Sequence, residues 1–178
     1  ATGVAVGQIA LGVIAGLLWG YIRWLDRPFT ELYSFINNIP TIIYMTLIAL
    51  MIGQSTLIMA IAMIAFYWLG TARNIRNLVF MYRDREYNLA SRCLGTGLWR
   101  ILVKNIFPYL ISVIVLRLAL SIPAAIGNEV FITYIGLGLP VDTPSLGNLI
   151  NEGRKLITSA ALRYQLIFPA IVLSIVTI

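Results

Sequence analysis

Apolar positions along the chain form long uncharged stretches that are separated by short charged ones. Residues 1–22 carry no charge, and residues 32–72 carry none over 41 positions. An α-helix rises about 1.5 Å per residue and a hydrocarbon core is about 30 Å thick, so about 20 apolar residues span it. The first stretch therefore predicts one transmembrane helix, and the second predicts two, joined by a turn at Gly53, Gln54 and Ser55.

A short polar connection is predicted after the first span, where residues 23–31 carry two positive and two negative charges. Pro40 is predicted to start or kink the helix that follows, because proline lacks the N–H that a helix interior uses. Residues 32–39 would then lie along the membrane interface.

Another long apolar segment occupies residues 105–141. It predicts a helix from about Pro108 to about Gly127, kinked at Pro123. The apolar run 130–139 is expected to return toward the membrane surface or to lie near it. A last span is predicted to begin at Tyr164. Because the chain begins and ends within apolar sequence, we expect transmembrane sequence to be missing at one or both ends.

Glycines recur along the first span. The pairs Gly3/Gly7 and Gly12/Gly16 have the small-xxx-small spacing that lets another helix approach closely. The alternative is that glycine is simply common in transmembrane helices.

Composition agrees with a membrane protein. Hydrophobic residues make up 60% of the 178 residues and charged residues 11%, against about a quarter charged in a soluble domain. The chain has no histidine and one cysteine, which excludes a Ser-His triad, a histidine-containing zinc site and an internal disulfide. We therefore expect no metal site in this chain.

Charge is concentrated in residues 73–108, called here the basic segment. This segment holds nine of the twenty charged residues, seven of them positive and two negative. Such clusters mark the cytoplasmic loops of membrane proteins, so the net charge of +6 indicates topology and not nucleic-acid binding. Alternation of the spans then puts residues 23–31 inside, and Gln54 and residues 128–163 outside.

Residues 83–94 have the spacing of a short amphipathic helix outside the membrane. Tyr87, Ala90 or Ser91, and Leu94 share one face, and the glycines at 95 and 97 suit a left-handed helix end before a next helix near residue 98. The helix either lies on lipid headgroups or fits a groove in another protein.

Two motifs in the second half of the chain resemble those of a known family. LASRCLG, followed nine residues later by NIFP, resembles the EAA loop of ABC importer permeases. EYNLASRCLGTGLWRILVKNIFP and EVFITYIGLGLPVDTPSLGNLINEGRK are similar to segments of the C-type permeases for dipeptides, oligopeptides and nickel. The chain departs from the motif in having Leu89 for Glu, Ser91 for the second Ala, Asn105 where many peptide permeases have His, and Phe107 for Leu.

The resemblance implies an all-α polytopic transmembrane bundle, the core of a type I permease, as one domain over residues 1–178. It also implies that the first transmembrane helix and the C-terminal tail are absent from this sequence. The residues from Glu86 to Gly95 would form the coupling helix, which docks into a cleft of a cytoplasmic ATPase subunit. The docking residues would be Arg85, Glu86, Tyr87, Leu89, Ala90, Ser91, Arg92, Leu94 and Gly95.

The same resemblance implies a set of partners in the cell membrane of a bacterium or archaeon. A second permease subunit, homologous or identical, would complete the pathway, and a binding protein would deliver substrate outside. Two ATPase subunits would hold ATP and Mg²⁺, so this chain would be no enzyme and would bind no cofactor itself; it also lacks a phosphate-binding GxxxxGK[ST] loop.

Charged and polar residues of the long apolar segment are candidates for the substrate pathway. Arg117 lies about 13 Å into the bilayer by helical rise, and Glu129 about 18 Å further and about 120° around, so they do not pair within one helix. Arg117 would need a partner on another helix or subunit, or a water-filled cavity. The pathway candidates are Arg117, Ser121, Asn128 and Glu129.

An amphipathic helix is predicted at the outer surface after the long apolar segment. Thr143 would cap it, with Pro144 in its first turn. Its apolar stripe would contain Leu146, Leu149, Ile150, Leu156 and Ile157. The helix would gate the pathway, face the binding protein or simply form a packed lid.

Three alternatives to a peptide permease remain open at this point. Nickel is one, because the nickel permeases share the motifs. An intramembrane enzyme would need a Ser-Lys arrangement with Lys104 or Lys155, both predicted near water. A channel is the third, although no filter motif or repeated arginine lies in a span.

Overall fold

The computed structural model describes residues 2–53, 55–136, 138–140, 142–159 and 161–177, and within them every regular element is helical. This confirms the all-α prediction. In chain order the elements are α1 Thr2–Tyr21, α2 Arg23–Asn37, α3 Thr41–Ile52, α4 Thr56–Arg83, α5 Glu86–Cys93, α6 Leu98–Arg100, a π-helix Ile101–Ile106, α7 Phe107–Tyr134, α8 Leu146–Lys155 and α9 Tyr164–Thr177.

Among the described residues, three helices are long and apolar enough to cross a membrane. They are α1 with 20 residues, α4 with 28, and the continuous helix Leu98–Tyr134 with 37. The pair α2 and α3 also has the length of a span, but it is bent by 77°. α9 is apolar over 14 residues, which is shorter than a span requires.

Contacts between residues divide the chain into two compact units. The first comprises Ala1–Ala5, Ile39–Met63 and Leu120–Ile178, and the second comprises Val6–Asn38 and Ile64–Ala119. The second unit has a buried core of aliphatic side chains from α1, α4, the π-helix and α7. Its members include Ile9, Val79, Leu102, Ile106 and Leu110.

Close packing between α1 and α4 in the second unit depends on glycines spaced by four residues. A Cβ atom added at Gly12 would lie 2.5 Å from Thr71 Cβ, at Gly16 2.5 Å from the Ala72 carbonyl oxygen, and at Gly20 2.6 Å from Val79 Cβ. The predicted close approach at Gly12 and Gly16 is therefore confirmed and continues to Gly20. At Gly7 an added Cβ atom would lie 3.0 Å from Ile64, whereas no described residue outside the same helix lies within 4 Å of one added at Gly3, so a close approach at Gly3 stays a prediction.

The predicted polar connection at residues 23–31 is wrong, because α2 begins at Arg23 and is helical throughout. Its charged residues do not interrupt the helix because they have partners or solvent: Asp26 pairs with Arg76, and Arg27 pairs with Glu31 four residues on. Phe29 and Tyr33, also four residues apart, contact the ring of Trp19.

The turns on either side of α3 are as predicted where the structure describes them. Pro40 directly precedes α3 with φ −54° and ψ 129°, so it starts the helix. Gly53 ends it with φ +111°, a conformation that favours glycine. α4 begins at Thr56, while Gln54 lies outside the described residues.

The helix predicted to begin near residue 98 does so, but its predicted limits at Pro108 and Gly127 are wrong, since it continues to Tyr134. In a regular α-helix the ring of Pro108 would clash with the carbonyl group four residues earlier. The preceding turn is instead π-helical, and the Phe107 N–H donates to the Leu102 carbonyl oxygen five residues back. Gly127 does not end the helix because Val130 and other residues beyond it are buried.

Candidate functional site

The short helix α5 occupies the middle of the basic segment, as predicted. It ends at Cys93, and Gly95 follows with φ +77°. The Gly95 N–H donates to the Arg92 carbonyl oxygen at 2.9 Å, and the Thr96 N–H to that of Ser91 at 3.0 Å, which is the Schellman pattern. The prediction that Gly97 shares this role is wrong, because its φ of −65° is ordinary and it precedes α6.

One side of α5 presents apolar side chains to the exterior. Leu94 is 86% exposed, Leu89 44% and Tyr87 40%, and Ala90 is exposed with them. Arg85, Glu86 and Gly95 are exposed at the two ends, whereas Ser91 and Arg92 are half-buried. The face predicted for Tyr87, Ala90 and Leu94 is therefore present and uncovered in this chain.

The other side of α5 is fixed by a buried amide network. Asn88 is fully buried, and its Nδ2 donates to the Tyr82 carbonyl oxygen at 2.8 Å. Asn105 Nδ2, on the π-helix, donates to Asn88 Oδ1 at 3.0 Å and to Ser91 Oγ at 3.2 Å. Two residues that depart from the family motif, Ser91 and Asn105, thus bond to each other. Sequence reasoning missed Asn88, whose only signal was its place opposite the apolar face.

Two arginines of the basic segment attach the base of α5 to the end of α1. Arg83 is buried, and its Nη1 donates to the Gly20 carbonyl oxygen at 2.9 Å, while its Nε pairs with Asp84 at 3.1 Å. Arg92 Nε donates to the Tyr21 hydroxyl group, and its Nη2 to the Arg83 carbonyl oxygen, both at 3.2 Å. A cation at the C-terminal end of α1 also complements the helix dipole.

An aromatic cluster connects α5 with α4 and α7. The Tyr109 ring stacks on Tyr82 with 5.4 Å between centroids and lies 6.1 Å from Tyr87. Desolvation, with a smaller contribution from Tyr109, raises the pKa of the Tyr87 hydroxyl above its usual value. Tyr87 is therefore uncharged at neutral pH and adds no charge to the exposed face.

The four pathway candidates fall in different units. Arg117 belongs to the second unit and Ser121, Asn128 and Glu129 to the first. All four are half-buried. The Nε atom of Arg117 is buried and has no hydrogen-bond partner within the described residues, so the expectation that it pairs on another helix or subunit stays a prediction.

Glu129 lies in α7 on the wall of a cavity in the first unit. The Thr133 hydroxyl donates to its Oε1 atom at 3.1 Å. The Leu139 N–H in turn donates to Thr133 Oγ1 at 3.3 Å. Thr133 is almost completely buried, so this chain of hydrogen bonds fixes one oxygen of the carboxylate.

The amphipathic helix predicted after the long apolar segment exists as α8, but its cap and stripe differ from the prediction, and its place outside the membrane stays a prediction. Ser145 caps it, accepting from the Asn148 N–H at 3.1 Å, whereas Thr143 offers only its carbonyl oxygen, to Asn148 Nδ2 at 2.8 Å. The helix ends at Lys155, before two residues of the predicted stripe, and another of them, Leu149, is exposed.

Glycines explain which face of α8 is buried. A Cβ atom at Gly147 would lie 2.7 Å from Thr133 Cβ on α7, and one at Gly153 2.7 Å from the backbone of Leu166 on α9. The helix therefore packs through its glycines and Asn148, and not through a leucine and isoleucine stripe.

The sequence of residues 8–178 matches the family model described as binding-protein-dependent transport system inner membrane component. The chain belongs to this family. Its relatives include the oligopeptide transport system permease protein AmiD of Streptococcus pneumoniae, 39% identical over 166 residues, or 93% of this chain and 54% of that protein.

Two further relatives carry similar names. The dipeptide transport system permease protein DppC of Lactococcus lactis is 35% identical over 179 residues, covering 100% of this chain and 52% of that protein. The oligopeptide transport system permease protein OppC of Bacillus subtilis is 29% identical over 172 residues, covering 94% and 56%. The chain thus spans about half the length of these relatives.

Family membership and the apolar helices together identify a multi-pass membrane protein. The family description names an inner membrane component, and three helices in the described part of the chain have the length and composition of spans. The relatives are named as transport permeases and not as enzymes. The chain is therefore a member of a family of membrane transport components.

Proposed function

We propose that the chain is a permease subunit of an ATP-driven ABC importer and forms half of a translocation pathway for peptides. Family membership supports the transport role. The names of the relatives, which specify oligopeptides and dipeptides, support the substrate class. Nickel is the other substrate that the motifs allow, and the names of these relatives do not favour it.

In this proposal α5 is the coupling helix and docks into a cytoplasmic ATPase subunit. The observation that carries it is the contrast between the two sides of α5, one bonded to its own chain and the other apolar and uncovered. Complete burial of a leucine side chain such as that of Leu94 contributes about 1.5–3 kcal/mol, so association would gain from covering this face. Arg85 and Glu86 would orient the approach at the N-terminal end of α5.

The contacts at the base of α5 supply a route for force. Closure of the ATPase pair on ATP would push α5, and the Asn88–Asn105 bond would pass the displacement to the helix of residues 98–134. The bond from Arg83 to the Gly20 carbonyl oxygen would pass it to α1. Rigid movement of packed helices is one of the standard ways in which such transitions travel.

The remaining partners follow from the same proposal. A second permease, homologous or identical, would complete the pathway, two ATPase subunits would hold ATP and Mg²⁺, and a binding protein would deliver substrate from outside. Residues 73–108 would face the cytoplasm and residues 128–163 the exterior of a bacterial or archaeal cell membrane. The excess of Lys and Arg in the basic segment supports this orientation.

Gly95→Val tests the coupling assignment, with Gly97→Val as its matched control. Gly95 has φ +77°, where a β-branched residue is strained, while Gly97 has φ −65°, and both have open space around them. We expect Gly95→Val, and charge reversal by Glu86→Arg, to reduce co-purification of the ATPase and to uncouple ATP hydrolysis from peptide uptake. Gly97→Val should retain both. Normal ATPase binding and uptake in Gly95→Val would refute the assignment.

A further inference from the structure

The cavity beside Glu129 has the composition of a site for a small cationic group. It has a volume of about 80 Å³ and is lined by residues of the first unit. Among the described residues that line it, the polar side chains are those of Thr56 and Glu129, and the others are methionine, alanine and aliphatic, including Met59, Met63 and Ile126. A carboxylate in such surroundings is costly unless it is paired.

A short chain of hydrogen bonds positions the Glu129 carboxylate at the cavity wall. Thr133 Oγ1 accepts from the Leu139 N–H, so the single hydroxyl proton of Thr133 is free to be donated to Glu129 Oε1. No lysine or arginine of the described residues forms an ion pair with Glu129. The described residues therefore provide a carboxylate at the cavity wall but no cation that pairs with it. A bound ligand would supply the positive charge.

Size and ligand number narrow the class of cation. One water molecule needs about 10–15 Å³ on the same measure, so a cavity of about 80 Å³ holds a few non-hydrogen atoms and not a whole peptide. Divalent metal ions require several oxygen or nitrogen ligands, whereas the described side chains of the wall offer one carboxylate and one hydroxyl group. A primary ammonium group on a short methylene stem fits both the polar and the apolar parts.

We infer that this cavity binds a primary ammonium group, with Glu129 as the counter-ion and the Thr56 hydroxyl as a second acceptor. The choice of natural ligand rests on the proposed function, under which a transported peptide supplies the ammonium group. That group is either the amino terminus of the peptide or a lysine side chain. The apolar wall contacts the carbon atoms next to the charge.

Thiol chemistry tests the cavity without requiring transport. Cys93 is the one cysteine of the given sequence, so Ala60→Cys in a Cys93→Ser background gives this sequence a single thiol, in the cavity wall, and its labelling is read on the peptide that contains residue 60. The complex in nanodiscs is treated with a cationic reagent, aminoethyl methanethiosulfonate, and a neutral one, methyl methanethiosulfonate. The quantity compared is the rate of reaction with the cationic reagent divided by that with the neutral one. We expect Glu129→Gln to lower this ratio about tenfold, since a unit charge acts over several ångströms at intermediate dielectric.

Two variants make this measurement decisive. Glu129→Asp retains the charge and should retain the high ratio, and Ala125→Cys repeats the test from another part of the wall. The native Cys93, which is exposed and lies in the second unit, should keep its ratio in Glu129→Gln. An unchanged ratio in Glu129→Gln at both cavity positions would overturn the inference.

Uptake by the reconstituted transporter then distinguishes the two sources of the ammonium group. An alanine tripeptide is compared with its N-acetylated form, and an N-acetylated lysine-containing peptide with its norleucine counterpart. If the amino terminus is the ligand, acetylation should raise KM, and Glu129→Gln should raise KM for the free tripeptide about tenfold and leave the acetylated one unchanged. If the lysine side chain is the ligand, replacement of lysine by norleucine should raise KM. Glu129→Gln should then raise KM for the lysine-containing peptide about tenfold and leave that for the norleucine peptide unchanged.

Glu31→Gln, which changes an exposed carboxylate paired with Arg27, is the control for uptake and should behave as the unsubstituted chain. Equal KM values for all four peptides would overturn the assignment of the cavity to substrate. A transporter that takes up no peptide at all would instead refute the proposed function and leave the thiol result standing.

Discussion

The helices α5 and α8 each bury one asparagine, Asn88 or Asn148, whose amide donates to carbonyl groups of the segment just before the helix. Beyond this shared feature they are attached differently. α5 is attached along one side by side-chain hydrogen bonds to Asn105, and its apolar side chains are left uncovered. α8 packs through its glycines directly against α7 and α9.

This difference in attachment has a consequence for movement. Side-chain bonds such as Asn88–Asn105 hold α5 at its base while its outer face is free to bind another molecule. At Gly147 and Gly153 the glycine backbone lies directly against the Thr133 side chain of α7 and the backbone of Leu166 on α9, and such close packing leaves α8 little room to shift alone. α5 can therefore be displaced by a molecule that binds its exposed face, whereas α8 can move only together with α7 and α9.

The largest expected effect comes from adding one methyl group to the packed face of α8. In Gly153→Ala the new Cβ atom would lie 2.7 Å from the backbone of Leu166, which has no flexible end to move aside. Overpacking of this kind costs about 3 kcal/mol. We expect the thermal midpoint of the purified complex to fall by about 6–12 °C.

Gly127→Ala is the matched control, since nothing lies within 4 Å of the added atom and the residue is in the interior of α7. It should leave the midpoint unchanged or raise it slightly, because alanine favours a helix by up to about 1 kcal/mol over glycine. Equal thermal midpoints for Gly153→Ala and Gly127→Ala would mean that α8 does not pack through its glycines.

Helical periods and chain breakers in the sequence predicted much of the first half of the fold. The uncharged lengths gave the spans at α1 and α4, and the glycines at 12 and 16 gave their close packing. The start of α3 after Pro40 followed from the chemistry of proline alone. Span length, glycine spacing and a helix start at proline depend on residues close together in the sequence. They can therefore be predicted without knowledge of tertiary contacts.

Errors arose where a tertiary contact overrides a local signal. Charged residues at 23–31 suggested a loop, but Asp26 has its partner Arg76 fifty positions away and the segment is helical. Pro108 suggested a helix start, but a π-turn lets the helix pass through it. The apolar stripe expected in α8 failed because burial there follows from the glycines, which a hydrophobic pattern does not count.

The sequence predicted the exposed face of α5 but not the hydrogen bonds that attach α5 to the rest of the chain. The face of Tyr87, Ala90 and Leu94 follows from helical spacing, and the structure leaves it exposed. The attachment through Asn88 and Asn105 joins residues 17 positions apart. No helical period links such positions, so only the folded chain reveals the pair.

A smaller effect is expected from breaking the attachment of α5. Asn88→Leu leaves the Tyr82 carbonyl oxygen and the Asn105 amide without this partner, at about 1–3 kcal/mol for a buried unsatisfied group. Asn105→Leu should cost a similar amount. The double substitution should cost less than the sum by about 1 kcal/mol or more, because the two residues share one bond. The measurement is a double-mutant cycle in the unfolding free energy of the complex.

Asn37→Leu, at an exposed position at the end of α2, is the control for the cycle and should change stability by no more than about 0.5 kcal/mol. Strictly additive costs for Asn88→Leu and Asn105→Leu would show that the two amides act separately, and α5 would then lose its connection to the π-helix.

The smallest effect separates the two possible caps of α8. Ser145→Ala removes the oxygen that accepts from the Asn148 N–H, and loss of an N-cap costs about 1 kcal/mol. Thr143→Ala leaves this bond intact, because Thr143 contributes its backbone carbonyl oxygen and not its hydroxyl group. Thermal unfolding of the complex should therefore shift by about 2–4 °C in Ser145→Ala and remain unchanged in Thr143→Ala. The opposite result would restore Thr143 as the cap, and α8 would then begin two residues earlier, at Pro144.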